Sequence, residues 1–87
     1  MIVNLDFSKI TTKRKFHRYI RKSFKLKYYY DNLDSFYDLM GMIEYELIIN
    51  ANKNIDDNPI KDYITSFFEV LDVLVKDNKL ITVNYIN

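Results

Sequence analysis

Residues 44–51 have the sequence EYELIINA, in which apolar and polar side chains alternate. Successive side chains of an extended chain point to opposite faces, so this stretch predicts a strand with one buried face. Two other stretches, Ile2–Phe7 and Leu80–Ile86, alternate in the same way and predict two more strands. The side chains predicted to face the core are Val3, Leu5, Phe7, Tyr45, Leu47, Ile49, Ala51, Ile81, Val83 and Tyr85.

Three helices are predicted between the strands, because apolar residues recur there at the helical period. They run from Lys13 to Lys25, from Asn32 to about Met40, and from Asn58 to near Asn78. The polar stretch Asn50–Asn58 is predicted to be a loop or a frayed short helix. The residues expected to start or end these helices are Thr12, Asn32 and Asn58 as N-caps, Pro59 in a first turn, and Gly41 at a C-terminal end.

The predicted element order is β-α-α-β-α-β. Strands joined through helices pair in parallel with right-handed crossovers. If the strands lie in the order 1-2-3, both crossovers place their helices on one face of the sheet. One-sided strands fit such a two-layer α/β fold better than a sheet covered on both faces. We expect residues 1–87 to form a single domain of this kind.

The composition excludes several classes of protein. The chain has no Cys and one Gly, which excludes disulfides, cysteine zinc sites and glycine-rich phosphate loops. The lone His17 has no Ser or Asp at a recognisable catalytic spacing, and no metal-ligand spacing is found, so we expect no catalysis, cofactor or metal. No stretch resembles a signal peptide or a membrane helix, which predicts a cytoplasmic protein.

Charge is distributed unevenly along the chain. Residues 1–30 contain nine Lys or Arg and one Asp, a balance of +8, whereas residues 31–87 contain four basic and eleven acidic residues, a balance of −7. An asymmetry of this size affects the choice of partner and the rate of association more than the fold.

Asp34 and Asp38 are the candidate functional pair, because a spacing of four places them on one face of the second helix. The stretch from Tyr28 to Asn52 contains no Lys or Arg, and the segment before the helix carries three consecutive tyrosines. Carboxylates beside rigid aromatic rings form a good surface for a basic partner. The alternatives are that the aspartates form an ordinary solvated helix face and that two of the tyrosines belong to the core.

The first predicted helix offers a second hypothesis, a nucleic-acid-binding module. Its basic residues fall in one stripe opposite the apolar face, as a phosphate-binding surface would require. We favour a solvated face, because no aromatic residue lies within the stripe and the sequence pI is about 7.9. The stripe comprises Arg14, Arg18, Arg21, Lys22 and Lys25.

The segment Tyr28–Asp38, YYYDNLDSFYD, resembles the signature of the barstar family of ribonuclease inhibitors, Tyr-Tyr-Gly-x-Asn-Leu-Asp-Ala-Leu-Trp-Asp. The similarity extends back to Phe16-His17 and forward to Glu44-Tyr45 on the second predicted strand. The resemblance implies the three-stranded parallel sheet with packed helices that the residue pattern also predicts.

The resemblance further implies that the chain inhibits a basic ribonuclease, barnase-like or a related toxin nuclease, as an immunity protein. Monomeric when free, it would insert its second helix and the preceding loop into the nuclease active site in a 1:1 heterodimer. Asp38 would take the place of the substrate phosphate, and Asp34 would be a second charged anchor. The residues implied to bind the partner are Tyr28, Tyr29, Asn32, Leu33, Asp34, Tyr37 and Asp38.

Several positions depart from the family pattern. Tyr30 stands where the signature has glycine, and a tyrosine does not readily adopt the positive φ open to glycine. Tyr37 stands for tryptophan, and Val73 aligns with an interface glutamate of the last helix, for which Asp72 or Asp77 are the candidate substitutes. These departures imply a target nuclease other than barnase itself.

Overall fold

The computed structural model describes residues 1–86, which form three strands and three helices. Their order is β-α-α-β-α-β, as predicted. None of the helices in this part of the chain is long and apolar enough to cross a membrane. The elements are β1 Ile2–Leu5, α1 Lys13–Phe24, α2 Leu33–Gly41, β2 Leu47–Asn52, α3 Lys61–Asp77 and β3 Ile81–Ile86.

The sheet is parallel throughout, with the strand order β1-β2-β3. The predicted fold class is therefore confirmed. One face of the sheet is buried beneath the helices, and the other exposes a row of asparagines joined by amide hydrogen bonds of 3.0 Å, from Asn50 to Asn4 and from Asn84 to Asn50. The alternation of buried and exposed side chains seen in the sequence is thus the alternation of the two faces.

Phe67 of α3 lies at the centre of the core, with no exposed surface. Its ring centroid lies 5.0 Å from that of Phe36 on α2, 5.2 Å from Phe16 on α1 and 5.8 Å from Phe7 after β1. Edge-to-face and tilted contacts of this kind are favourable beyond the apolar area that they bury. One side chain thereby connects all three helices to the first strand.

The predicted bounds of the second strand were wrong at its start. β2 begins at Leu47 rather than Glu44, and Tyr45 is 45% exposed instead of facing the core. The Asn78 side-chain amide donates hydrogen bonds to the Met40 and Ile43 carbonyl oxygens, at 3.3 and 3.2 Å. These bonds fix the chain after α2 in a turn, so it becomes extended only later than the alternation predicted.

The start of the third helix was also predicted wrongly. The Asn58 amide donates to the carbonyl oxygens of Phe7 and Ile10, both at 2.9 Å, and its oxygen accepts from the Ile60 N–H. Asn58 therefore ties the loop to the chain after β1, and α3 begins at Lys61 beyond the proline. The segment Asn50–Asn58 was predicted to be a loop or a frayed short helix. Residues 50–52 belong to β2, and the chain forms a loop from residue 53 onward.

Replacement of Phe67 by alanine tests the central position of this ring. We expect Phe67→Ala to lower the free energy of unfolding by about 3–5 kcal/mol, because it removes buried area and leaves a cavity. The matched control is Val73→Ala on the same helix, where a side chain 47% exposed predicts a change within about 0.5 kcal/mol. Urea denaturation measures both, and similar losses for the two variants would contradict the central role of Phe67.

Candidate functional site

Asn32 determines where α2 begins. Its backbone is extended, with φ −145°, and its side-chain oxygen accepts a hydrogen bond of 2.7 Å from the Ser35 N–H. This satisfies one of the helix's unpaired N–H groups, as an N-cap does. The Asn32 amide nitrogen also donates to the Tyr30 carbonyl oxygen at 3.3 Å, and the Tyr30 N–H donates to the Ser35 hydroxyl at 3.1 Å. The start of the helix and the loop before it therefore form one hydrogen-bonded unit.

The loop turns at Asp31, not at Tyr30. Asp31 has φ 55°, whereas Tyr30 needs no positive φ despite standing where the signature has glycine. Aspartate tolerates the left-handed region better than tyrosine does. Arg21 of α1 forms an ion pair with Asp31 and donates to the Tyr29 carbonyl oxygen at 3.4 Å. The turn is thus anchored to α1 by a residue that sequence reasoning placed in a basic stripe.

The three consecutive tyrosines have different environments. Tyr28 and Tyr30 are 76% and 79% exposed, whereas Tyr29 is 6% exposed. Tyr29 thus packs inward while its two neighbours point to solvent. Tyr29 therefore has little surface available in the free chain, and its assignment to the partner-binding residues stays a prediction.

Tyr29 is hydrogen-bonded to His17, which the sequence analysis excluded only as a catalytic or metal-binding residue. The Tyr29 hydroxyl bonds to Nδ1 of His17, and Nε2 of His17 lies 2.5 Å from the Tyr63 hydroxyl. Burial lowers the pKa of His17 below 6.5 and raises the pKa of Tyr29. The sequence signal for this cluster was a lone histidine on the apolar face of α1, beside Phe16.

Asp34 and Asp38 are both exposed and lie about one helical turn apart on α2. Within residues 1–86, no ion pair or side-chain hydrogen bond occupies either carboxylate. Both line a cleft of about 370 Å³ together with the rings of Tyr28 and Tyr30. The described residues lining this cleft include no Lys or Arg, so its charge is uncompensated.

A second groove, of about 540 Å³, lies between α2 and α3. Leu33, Asp34 and Tyr37 line one side, and α3 contributes Glu69, Val70 and Val73 among others. The Tyr37 hydroxyl donates a hydrogen bond to Asp77, which raises the pKa of Tyr37. The Asp72 carboxylate likewise accepts a 2.7 Å bond from Tyr85. Both candidate substitutes for the family glutamate are therefore already hydrogen-bonded to tyrosines of this chain.

The site offers an anionic, aromatic surface. Both aspartates are open to solvent. Among residues 1–86, no group of three potential ligands is arranged to hold a metal ion. Two exposed carboxylates beside exposed tyrosine rings can bind a cationic surface.

A sequence model of the family described as Barstar (barnase inhibitor) matches residues 1–80. The matched region contains α1, the tyrosine segment, α2 and α3. A search of curated proteins finds no match to the chain.

The Asn32 cap makes a prediction about the site. Asn32→Ala removes the hydrogen bonds to Ser35 and Tyr30, and we expect it to lower the free energy of unfolding by about 1 kcal/mol. The control is Asn32→Asp, which keeps the capping oxygen and should retain most of the stability. Thermal and urea denaturation measure both, and equal losses would show that the cap does not fix the helix.

Proposed function

The chain belongs to the barstar family, and we propose that it inhibits a basic ribonuclease of the barnase type by occupying the active site. Inhibition is by binding alone, without catalysis by this chain and without a cofactor. In this proposal residues 1–87 act as a single barstar-like domain. Asn87 lies outside the described residues. The absence of Cys is compatible with a role as an immunity protein in the reducing bacterial cytoplasm.

One observation carries the proposal, the pair of uncompensated carboxylates on α2. Asp34 and Asp38 project into solvent beside two exposed tyrosine rings. A ribonuclease must be cationic where it holds RNA, so a carboxylate surface of this size complements its active site. Burying these carboxylates against arginine, lysine or histidine would form short charge-assisted hydrogen bonds.

In this proposal Asp38 takes the place of the RNA phosphate and Asp34 is the second charged anchor. Tyr28, Tyr37 and the Asn32 amide pack around them, and Leu33 contributes apolar area at the start of the helix. Aromatic residues around a desolvated charge exclude water and are frequent among the side chains that dominate binding energy. The contribution of Tyr29 is indirect, through the loop that carries Tyr28.

The α2–α3 groove bears on which nuclease is bound. Its α3 side presents Val73, 47% exposed, where the family pattern has a charged residue. A nuclease adapted to this groove therefore needs less positive charge opposite Val73 than barnase has opposite the family glutamate. We propose that the target is a related toxin nuclease, bound 1:1 by a chain that is monomeric when free.

The proposal predicts that a basic ribonuclease is recovered when the tagged chain is used to capture proteins from its own host. Adding the chain should abolish the activity of this nuclease at a 1:1 ratio. If no nuclease is recovered and the chain itself binds RNA through Arg14 and Arg18, the alternative function of the basic helix is correct.

The second prediction concerns Asp38. Asp38→Ala should weaken binding of the recovered nuclease by about 2–5 kcal/mol, roughly 30-fold to several thousand-fold, because cationic groups of the nuclease lose their partner. The matched control is Asp57→Ala, which removes an equally charged and exposed side chain from the loop before α3. Inhibition titrations measure both. Equal affinities for the two variants, with both folded, would contradict the proposed role of α2.

A further inference from the structure

His17 is held between two tyrosine hydroxyl groups that belong to different parts of the fold. Tyr29 lies in the loop before α2, and Tyr63 lies in the first turn of α3. His17 and Tyr29 are 5% and 6% exposed. The imidazole ring thus connects the tyrosine segment of the site to the helical layer through two hydrogen bonds.

We propose that His17 is the positioning residue of the loop Tyr28–Asp31, and that adding a proton to its imidazole releases this loop. The importance of the loop for binding rests on the proposed inhibitory function. The hydrogen-bonded connection itself does not, and it can be tested on the free chain.

The available hydrogen-bond donors and acceptors determine where the protons of His17, Tyr29 and Tyr63 lie. Neutral imidazole has one N–H donor and one acceptor nitrogen. In the described part of the chain, the Tyr29 hydroxyl has no hydrogen-bond partner besides His17, so its hydrogen must be donated to Nδ1. Nε2–H is then the donor to Tyr63, whose partly exposed hydroxyl can direct its own hydrogen to water. This arrangement satisfies all the polar atoms of the cluster.

Protonation at Nδ1 breaks this arrangement at Tyr29 in particular. Protonated imidazole has two donors and no acceptor, so the buried Tyr29 hydroxyl loses its acceptor. An unsatisfied buried hydroxyl is costly, and relief requires Tyr29 to move outward. Because Tyr29 lies between Tyr28 and Tyr30, its movement displaces both exposed rings of the site.

The charged groups around His17 do not remove this effect. Lys13 and Arg21 of α1 disfavour the protonated imidazole, whereas Asp31 of the loop favours it. Asp31 is itself paired with Arg21. From α3, Tyr63 presents a neutral hydroxyl. With burial the largest influence, the pKa of His17 lies below 6.5, so the loop is fixed at neutral pH and is released as the pH falls below that value.

The test follows backbone amide chemical shifts of the free chain by NMR between pH 7.5 and 4.5. In the wild type, the amides of Tyr28, Tyr30 and Asp31 should titrate with the same midpoint as the His17 ring, below pH 6.5. In His17→Gln, a neutral variant, this transition should be absent. A transition of the same midpoint in His17→Gln would assign the change to another group, such as Asp31, and overturn the proposal.

Two matched variants separate positioning from general stability. Tyr29→Phe keeps the buried ring but removes the bond to the loop, so the His17 ring should titrate without a matching change in the amides of Tyr28 and Tyr30. Tyr63→Phe removes the other bond and should leave the coupling between ring and loop intact. Equal effects of the two variants would contradict a specific connection through Tyr29.

A binding measurement then connects the loop to the proposed function. The probe is the nuclease captured by the wild-type chain. Its affinity for His17→Gln is divided by its affinity for the wild type at each pH, so that the pH dependence of the nuclease itself cancels. This ratio should increase as the pH falls from 7.5 to 5, by at most about tenfold for each unit by which binding lowers the pKa of His17. A ratio independent of pH would overturn the effect on binding, whereas failure to capture a nuclease would count against the proposed function alone.

Discussion

The structure depends on covering one face of a three-stranded parallel sheet with aromatic side chains from three helices. A parallel sheet is usually covered on both faces, and this chain is too short to supply two helical layers. The uncovered face instead carries a row of asparagines, Asn4, Asn50 and Asn84, which satisfy one another across the strands, and beside it a row of Ile2, Ile48 and Thr82. All the helices must therefore share one side, where Phe67 contacts rings from both other helices.

Crowding three helices over one narrow sheet leaves one helix surface open, which is where we propose that the partner binds. α1 packs on β1 and α3 packs on β3, whereas α2 packs mainly on α3. The outer surface of α2 is therefore open. It carries Asp34 and Asp38, neither of which forms an ion pair within residues 1–86, and two exposed tyrosines lie beside them. The loop before α2 is fixed by the inward-facing side chain of Tyr29 and by Arg21, so the surface is preorganised. Preorganisation reduces the ordering cost of binding.

The sequence predicted the element order and the shared face of Asp34 and Asp38 from local periods, and the parallel sheet from the helical connections between the strands. It did not predict that Tyr45 is exposed or that α3 begins at Lys61, because Asn78 and Asn58 bond to carbonyl oxygens distant in sequence. The sequence also did not determine which of the three tyrosines faces inward, because the hydrogen-bond partner of Tyr29 is His17 on α1. Periodicity reveals which side of an element is apolar, whereas long-range side-chain hydrogen bonds decide where that element starts.

Competition for the nuclease active site tests the central claim most directly. The nuclease captured by the chain would be mixed with a labelled, non-cleavable oligonucleotide substrate analogue, and the release of the label would be followed as the chain is added. If the carboxylates of α2 occupy the phosphate position, binding of the oligonucleotide and of the chain is mutually exclusive, and one equivalent of chain displaces all of the label. A stable ternary complex of nuclease, oligonucleotide and chain would contradict the account.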